Sequence, residues 1–308
     1  MGKTILVVAG TSVAVEEKPL ELFRDPLRDL YRGFLRSRGS ATHRLTVTYS
    51  PETAIPRFKA VPARILPGRK GSSGKILPVI DGHYPLSDSS LLVGFLNGVL
   101  AYNPLSRTGH IHLFRSPGKN YILGSLHKLL FCFMAAVLAE EDKLMVHGAG
   151  LRIGADGCLF LGVSGAGKST VAGYAGAGGV LSDDAPIVTM DRGLFKIHAS
   201  PFSQIDLFKE KPADHHRQET PLTRLVFLHQ ARHLDMKPRD KRNALAELLG
   251  IHVHGLDVFN EDLKRRAFHF CCGLCESVPA FDLFFQKNGR FLSLFGGPGS
   301  SSGRQSLQ

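Results

Sequence analysis

Apolar and polar residues alternate along several short stretches in the first half of the chain. A period of two residues is typical of half-buried β-strands. It predicts strands over His43–Tyr49 and Gly109–Phe114. Residues 1–15 are interpreted as a strand or a hairpin, and two further stretches, Ile76–Ile80 and Leu91–Tyr102, are apolar. The intervening segment Pro51–Lys75 is rich in proline, glycine and basic residues, so we expect loops around a short strand there.

A period of three and four residues predicts helices elsewhere in the chain. The first helix is expected over Pro19–Arg38, kinked or broken at Pro26. The others are expected from a cap at Ser125 to about Glu141, over Arg242–Leu249 and over Asp262–Glu276. Arginines recur every four residues in the first predicted helix and would form a cationic stripe. The stripe is either a solvated helix face or a docking site for an acidic partner. Its residues are Arg24, Arg28, Arg32 and Arg36.

From Lys143 onward the pattern predicts a series of hairpins. An apolar strand over Leu144–Ile153 is followed by a glycine-rich turn and a return strand, Cys158–Leu161. Val180–Ser182 is a short strand that ends in two aspartates. The later predictions are a hairpin of Ile187–Met190 with Leu194–Ile197, a strand Leu222–Leu228, and a hairpin of Ala280–Phe285 with Arg290–Phe295 through Asn288-Gly289.

The return strand leads into a glycine-rich segment that fits the phosphate-binding loop G-x-x-x-x-G-K-[ST]. Such a loop curls so that backbone N–H groups point at phosphate oxygens. Lys168 is expected to reach the β- and γ-phosphates of ATP, and Ser169 to bind Mg²⁺. A second glycine-rich stretch, Gly68–Lys75, has one residue more between its outer glycines than the phosphate-binding motif allows. It is interpreted as a basic surface loop. The predicted phosphate-binding residues are Gly162, Val163, Ser164, Gly165, Ala166, Gly167, Lys168, Ser169 and Thr170.

Two acidic residues follow the next predicted strand. Asp183 and Asp184 would stand at the carboxyl end of that strand beside the phosphate-binding loop, where carboxylates bind Mg²⁺ and position an attacking group. The alternative is a pair of surface acids in a turn. His147 lies one strand away; a histidine before a glycine is either an active-site residue or a hydrogen-bonded structural residue.

Composition restricts the partners. The chain has 308 residues, 43% of them hydrophobic, which is enough for a globular core. Its formal net charge of +11 favours anionic partners such as nucleotides, acidic protein faces or nucleic acid. Because basic and aromatic residues are not interleaved and no nucleic-acid module is recognisable, we do not expect nucleic acid.

The apolar runs and the cysteines bear on the cellular compartment and on metal binding. The longest apolar run, Leu129–Ala139, is shorter than a membrane span, so we expect no span and a cytoplasmic location. Three of the five cysteines crowd into Cys271–Cys275, which does not resemble a disulfide framework. His269, Cys272 and Cys275 could form half a zinc site or a redox pair, but buried small side chains on a helix are the favoured interpretation.

Together the motifs resemble a known family. Val146-His147-Gly148, the hairpin, the loop Gly162–Thr170, the short helix and Ser182-Asp183-Asp184 are similar to the catalytic domain of HPr kinase/phosphorylase and its stand-alone relatives, with phosphoenolpyruvate carboxykinases more distantly similar. The resemblance is clear over Lys143–Phe202 and looser to Phe295. It implies that His147 lies beside the γ-phosphate, that Asp184 is the base toward the acceptor hydroxyl and that Asp183 assists with the metal.

The chain departs from that family at one point. The metal-binding glutamate of a Glu-Ile-Arg-Gly sequence is absent, and Ser200-Pro201-Phe202 stands in that region. HPr itself is therefore not the acceptor that we expect.

The resulting prediction is an α/β protein with a P-loop kinase domain of the HPr kinase/carboxykinase type, a mixed β-sheet with flanking helices. A smaller α+β region would occupy residues 1–142, the kinase domain 143–295 and a disordered tail 296–308. The expected activity is transfer of the γ-phosphate of ATP, with Mg²⁺, to a hydroxyl, chiefly a serine of a protein or peptide. The alternatives are a small-molecule kinase and a non-catalytic nucleotide-binding regulator. A homo-oligomer is allowed by the sequence.

Overall fold

The computed structural model is a mixed α/β structure with two large mixed sheets. It describes residues 4–18, 31–50, 65–66, 79–80, 82–85, 91–95, 97–114, 119–175, 179–202, 218–256, 259–286 and 288–295. The predicted basic loop Gly68–Lys75, the tail 296–308 and most of Pro51–Lys75 lie outside the described residues.

The first sheet has eight strands in the order β3-β1-β2-β4-β10-β9-β8-β7. Strand β4 runs parallel to both of its neighbours, β2 and β10, whereas the other pairs are antiparallel. The predicted strands are therefore confirmed for His43–Tyr49 and Gly109–Phe114, and the described part of residues 1–15 is the hairpin of β1 and β2. The strands of this half of the chain, with the separate pair β5 and β6, are Thr4–Val8 (β1), Thr11–Lys18 (β2), Leu35–Arg36 (β3), His43–Ser50 (β4), Ile65–Leu66 (β5), Val79–Ile80 (β6), Gly82–Pro85 (β7), Leu91–Phe95 (β8), Gly98–Asn103 (β9) and Thr108–Phe114 (β10).

The predicted helix Pro19–Arg38 is wrong over its described part. Arg32–Phe34 forms a single 3₁₀ turn, and Leu35–Arg36 pairs with β1 as strand β3. The buried side chains Tyr31 and Phe34 join the sheet's core, so their spacing of three residues reflects a 3₁₀ turn rather than an α-helix. Arg36 is thus on a strand and cannot continue a helical stripe, and Arg24 and Arg28 lie outside the described residues.

The long helix Lys119–Glu140 (α1) packs on strands β8, β9 and β10. It begins before Ser125, so that residue is not its cap; the Ser125 hydroxyl instead accepts a hydrogen bond from the backbone N–H of Asn97 at 3.3 Å. The stretch Ile122–Glu140 has the length and hydropathy of a membrane span, but 72% of it is buried within the structure, as in the core helix of a soluble protein. Its place in the core accounts for its apolar composition.

The second sheet carries the glycine-rich loop. Seven strands follow the order β11-β15-β16-β17-β13-β12-β14, β19 pairs with β17, and β18 pairs with β19. Strands β13, β17 and β19 are mutually parallel, and β14 runs in the same direction because both it and β13 are antiparallel to β12. The strands are Leu144–Met145 (β11), Ala149–Ile153 (β12), Asp156–Leu161 (β13), Val180–Ser182 (β14), Ile187–Asp191 (β15), Leu194–His198 (β16), Glu219–Gln230 (β17), Asp235–Pro238 (β18) and Ala280–Phe285 (β19).

Most predicted strands of this half are confirmed, and two predictions need correction. The expected strand Leu144–Ile153 is interrupted at His147-Gly148, so that β11 pairs with β15 and β12 pairs with β13. The expected return strand Arg290–Phe295 is a 3₁₀ helix, Gly289–Leu294, in which the N–H of Arg290 donates a hydrogen bond to the side chain of Asn288. Asn-Gly here begins a helical turn rather than a hairpin.

Helices cover both faces of the second sheet. Lys168–Ala175 (α2) and the Gly289–Leu294 turn cover one face, with the buried aromatic side chains of Phe160, Phe285 and Phe291 beneath them. Lys241–Glu247 (α3), a π-helical turn over Leu248–His252, and Glu261–Ser277 (α4) lie on the other face, together with α1. The predicted helices Arg242–Leu249 and Asp262–Glu276 are thereby confirmed.

One continuous apolar core joins the first sheet, α1, α4 and this face of the second sheet. It crosses the boundary expected near residue 142, and the division into two domains stays a prediction.

The cysteine cluster lies on α4. Cys271 and Cys275 are buried, and the described cysteines are free thiols. Burial raises the pKa of the Cys275 thiol to about 11, which is unlike a reactive or metal-binding thiolate. Cys271 and Cys275 belong to the apolar core, which agrees with the interpretation of the cluster as buried small side chains on a helix.

Candidate active site

The glycine-rich loop joins β13 to α2 at the carboxyl edge of the second sheet. The ammonium group of Lys168, the first residue of α2, donates hydrogen bonds to the carbonyl oxygens of Gly162 at 2.7 Å and Val163 at 3.3 Å. These carbonyls compensate the buried amine without neutralising its charge. Burial lowers the pKa of Lys168, and the nearby carboxylate of Asp184 opposes that shift.

Close packing against the sheet fixes the conformation of the glycine-rich loop. Gly167 has φ of +117°, and a Cβ atom at this position would lie 2.7 Å from Cζ of Phe285. The third glycine of the motif is therefore required here both by backbone conformation and by the aromatic ring on β19. On the solvent side, the Gln230 amide at the end of β17 donates a hydrogen bond to the carbonyl of Gly165. Two neighbouring parallel strands thus hold the loop.

Asp183 and Asp184 end up in different environments although they are adjacent. The Ser182 hydroxyl at the end of β14 accepts a hydrogen bond from the Ala185 N–H at 3.1 Å, which closes a tight turn around the pair. Asp183 is 3% exposed, and neither of its carboxylate oxygens has a hydrogen-bond partner among the described residues. A buried carboxylate without a partner is costly, so this side chain is suited to a bound cation.

Asp184 instead pairs with His147. Its Oδ1 lies 3.1 Å from Nδ1 of His147, and the two side chains are 39% and 29% exposed. The hydrogen bond to His147 is the main reason why the pKa of Asp184 is lowered; burial opposes the shift, while the charges of His147, His254 and Lys168 add to it. Asp184 is therefore a carboxylate at neutral pH.

The site residues expected from sequence meet in one pocket. Its volume is about 240 Å³, and it opens where the loop faces the two aspartates. The predicted residues Gly162, Val163 and Ala166 are part of the loop but do not line the pocket. The lining residues are His147, Ser164, Gly165, Gly167, Lys168, Ser169, Thr170, Asp183 and Asp184.

Comparison with known proteins gives one family. A family model described as "SynChlorMet cassette protein ScmC" matches residues 118–295, which is more than half of the chain. The chain belongs to this ScmC family. No curated protein matches the chain.

The ScmC match begins at α1 and therefore takes in more than the second sheet. The side chains of His127 and Lys128 on α1 lie close enough to the site to affect its electrostatics. Burial lowers the pKa of His127, Lys128 lowers it further, and Asp184 opposes the shift. Nδ1 of His127 lies 2.9 Å from the hydroxyl of the buried Tyr31, which ties α1 to the segment before β3.

Sequence reasoning missed two histidines next to His147. They flank Val253, which forms an isolated β-bridge with Val146 just after the π-helical turn. The ring of His252 stacks on that of His147 with 6.2 Å between centroids, and the ring of His254 meets it edge-on at 5.3 Å. The alternation His252-Val253-His254 is the sequence signal for these residues, but it does not show that this segment pairs with Val146.

Burial disfavours the charged form of both of these histidines. Burial lowers the pKa of His254 to about 4, with the charge of His147 adding to the shift. Burial is also the main cause of the lowered pKa of His252, which is opposed by a hydrogen bond to the carbonyl of His147 and by Glu247.

Proposed function

We propose that this protein is an ATP-dependent kinase that transfers a γ-phosphate to a hydroxyl group. The observation that carries the proposal is the meeting of Lys168, Asp183 and the His147–Asp184 pair in one pocket at the mouth of the glycine-rich loop. Phosphoryl transfer requires a cation at the phosphates, a metal ligand and a group that orients the attacking hydroxyl, and these side chains supply each of them.

The same proposal includes the finer fold assignment, a P-loop kinase domain similar to that of HPr kinase/phosphorylase. It is supported by the parallel strands β13 and β17, the loop between β13 and α2, and the aspartates after β14 at the same edge of the sheet. The break between β11 and β12 places His147 at this edge too.

The residues present fit a magnesium ion. Asp183 offers a buried carboxylate without a protein partner, and the Ser169 hydroxyl lines the same pocket. Mg²⁺ prefers oxygen ligands and takes the remaining ones from water and phosphates, so one carboxylate and one hydroxyl suffice. When bound, the ion would neutralise charge on the phosphates of ATP. Lys168 would bind the β- and γ-phosphates, replacing its hydrogen bonds to the loop carbonyls.

The acceptor is proposed to be a serine of a protein or peptide. The His147–Asp184 pair is partly exposed at the pocket mouth, where a residue of another chain can reach it. A small hydroxyl compound would fit the same chemistry. The alternative of a nucleotide-binding regulator relied on a helical arginine stripe as its docking site. The described part of that arginine segment is a 3₁₀ turn and a strand, so this support is lost.

The test is transfer of label from γ-labelled ATP in an extract of the source organism. Wild-type protein should label one acceptor, whereas Asp184→Asn should transfer at least about a hundredfold more slowly, because it disrupts the His147–Asp184 pair and general base catalysis contributes about 10²–10⁴-fold. The control is Asp191→Asn, which removes an exposed carboxylate that pairs with Lys196 outside the pocket. Tight binding of ATP with no labelled product would favour the regulator.

A further inference from the structure

The contact between His147 and Asp184 involves one particular nitrogen. Nδ1 of His147 lies 3.1 Å from Oδ1 of Asp184. A carboxylate can only accept hydrogen bonds, so this contact selects the neutral tautomer that carries its proton on Nδ1. In that tautomer Nε2 has a lone pair. No hydrogen bond to Nε2 of His147 occurs within the described part of the chain, and the ring lines the pocket.

The backbone around His147 is fixed from two sides. Its N–H donates to the carbonyl of His252 at 2.6 Å, and its own carbonyl lies 2.8 Å from Nδ1 of the buried His252 ring. The next N–H, that of Gly148, donates to the carbonyl of Asp184 at 3.0 Å. A Cβ atom on Gly148 would lie 2.8 Å from the carbonyl oxygen of Phe160, so this approach to β13 requires glycine. The ring is thus held in register with both Asp184 and the loop.

We propose that His147 accepts the proton of the attacking hydroxyl at Nε2, and that Asp184 is a positioning residue that holds the ring through Nδ1. This inference rests on the proposed kinase function and refines its site, since the family resemblance assigns the base to Asp184. The arrangement is that of a carboxylate-oriented imidazole, in which the carboxylate fixes the tautomer and stabilises the imidazolium that forms.

Proton transfer to His147 accompanies transfer of the γ-phosphoryl group. The acceptor oxygen forms a bond to the γ-phosphorus while its proton passes to Nε2 of His147. The bond from the γ-phosphorus to the β,γ-bridging oxygen breaks, and its electron pair leaves with ADP. The resulting imidazolium faces the Asp184 carboxylate, and its proton then passes to solvent through the open pocket. The other titratable groups around the ring are His252 and His254, with Lys168 acting through Asp184.

Two features favour imidazole over carboxylate as the proton acceptor. Oδ1 of Asp184 is already engaged by Nδ1 of His147 at 3.1 Å, whereas no hydrogen bond to Nε2 of His147 occurs among the described residues and its ring lines the pocket. Imidazole is the side chain whose ordinary pKa lies nearest to neutral pH, where a general base is most effective.

The tautomer can be measured without ATP. Long-range ¹⁵N–¹H correlation spectra of protein labelled in its 14 histidines would show the His147 ring, assigned by its loss in His147→Gln. The expected signature is a protonated Nδ1 and a bare Nε2, with the ring shifting toward a mixture of tautomers in Asp184→Asn. A proton resident on Nε2 in the wild type would overturn the inference.

Chemical rescue tests the step itself, with MgATP as donor and water as the acceptor, read as release of phosphate. His147→Ala, and His147→Gln as a second variant, should lose at least about a hundredfold in rate. Added imidazole should raise the rate of His147→Ala by at least about tenfold, which recovers part of the 10²–10⁴-fold that general base catalysis contributes. His269→Ala, which removes an exposed histidine on α4, should keep the wild-type rate and ignore imidazole.

The opposite pattern identifies the failure. If formate restores Asp184→Ala while His147→Ala keeps more than about a tenth of the rate, the base is Asp184 and the inference is wrong, although the kinase proposal stands. If wild-type protein neither releases phosphate nor labels an acceptor, the kinase proposal fails and the inference falls with it.

Discussion

Two lysines with different surroundings mark the difference between the first sheet and the second. Lys143, beside the first sheet, donates to the Glu141 carboxylate at 2.8 Å and to the Thr11 hydroxyl at 2.9 Å, so its charge is neutralised within the fold. Lys168 bonds only to two carbonyls of its own loop, and none of the described carboxylates forms an ion pair with it. A cation whose charge is not neutralised, facing a pocket, is available to an anionic ligand.

The aspartates at the same edge show the complementary difference. Asp184 is paired with His147, whereas Asp183 is buried without a partner in the described structure. Polar groups that stabilise the fold are expected to be satisfied within it, so the unsatisfied ones point to ligands. Asp183 and Lys168, both of the second sheet's loop region, are thus the charged groups that face the pocket without an ion-pair partner among the described residues.

The largest predicted effect separates the two lysines. Lys168→Ala should raise the Kd for ATP by at least about thirtyfold, since truncating one partner of a buried charge pair costs about 2–5 kcal/mol. Lys143→Ala should leave that Kd unchanged but lower the free energy of unfolding by about 1–2 kcal/mol, from lost hydrogen bonds to a charged group. Titration calorimetry and urea unfolding measure the two effects. Equal losses of ATP affinity in both variants would contradict the comparison.

Asp183→Asn should weaken binding of MgATP about tenfold or more by calorimetry, because a metal ligand is lost, while ATP without magnesium binds as in the wild type. The same variant removes an uncompensated buried charge, so the free protein should unfold at the same or a higher temperature. Ser182→Ala is the matched control, since it breaks only the turn. If Asp183→Asn instead unfolds the free protein, the residue has a structural role.

Gly167→Ala should disturb the loop, because its Cβ would clash with Phe285 and its φ is unfavourable for alanine. We expect about 1–3 kcal/mol less stability and reduced ATP affinity. Gly173→Ala, on the helix α2 that follows the loop and with no atom within 4 Å of the added Cβ, should stabilise the protein by about 0.5–1 kcal/mol with unchanged affinity. Equal behaviour of the two variants in urea unfolding would refute the packing argument.

A further prediction concerns the dependence of stability on pH. His254 has its pKa lowered from 6.5 to about 4 by burial, so the folded state disfavours its charged form. The folded protein therefore binds fewer protons than the unfolded chain between these values, and stability should fall as pH drops from about 6.5 to 4. His254→Gln should reduce this slope in urea unfolding monitored across that range. An unchanged slope would show that His254 titrates normally.

His198 provides the comparison outside the pocket. Burial also lowers its pKa to about 4, and its Nε2 lies 2.8 Å from the Thr189 hydroxyl. His198→Gln should reduce the acid slope in the same way but leave ATP binding unchanged.

The sequence predicted most of the second sheet and the site because the information is local. The loop motif spans eight residues, and Asp183 and Asp184 follow directly on a short apolar strand. His147 was found from the His-Gly pair, although the expected continuous strand is broken there. The break depends on Gly148 lying against the Phe160 carbonyl, which only the folded structure shows.

The remaining features depend on residues distant in sequence. His252 and His147 are 105 positions apart, and their contact requires a π-helical turn that no periodicity indicated. The arginine segment was misinterpreted because apolar residues at a spacing of three fit a 3₁₀ turn as well as an α-helix. At Asn288-Gly289, the asparagine acts as a helix cap, a use that competes with hairpin turns for the same residues.

The most direct test of the central claim is the yield of phosphorylated acceptor per ADP formed, measured with γ-labelled ATP in an extract of the source organism. The kinase account predicts one labelled acceptor for each ADP with wild-type protein and neither product with Lys168→Ala. ADP formation that persists in Lys168→Ala, or ATP that binds the wild type and is recovered intact, would contradict it.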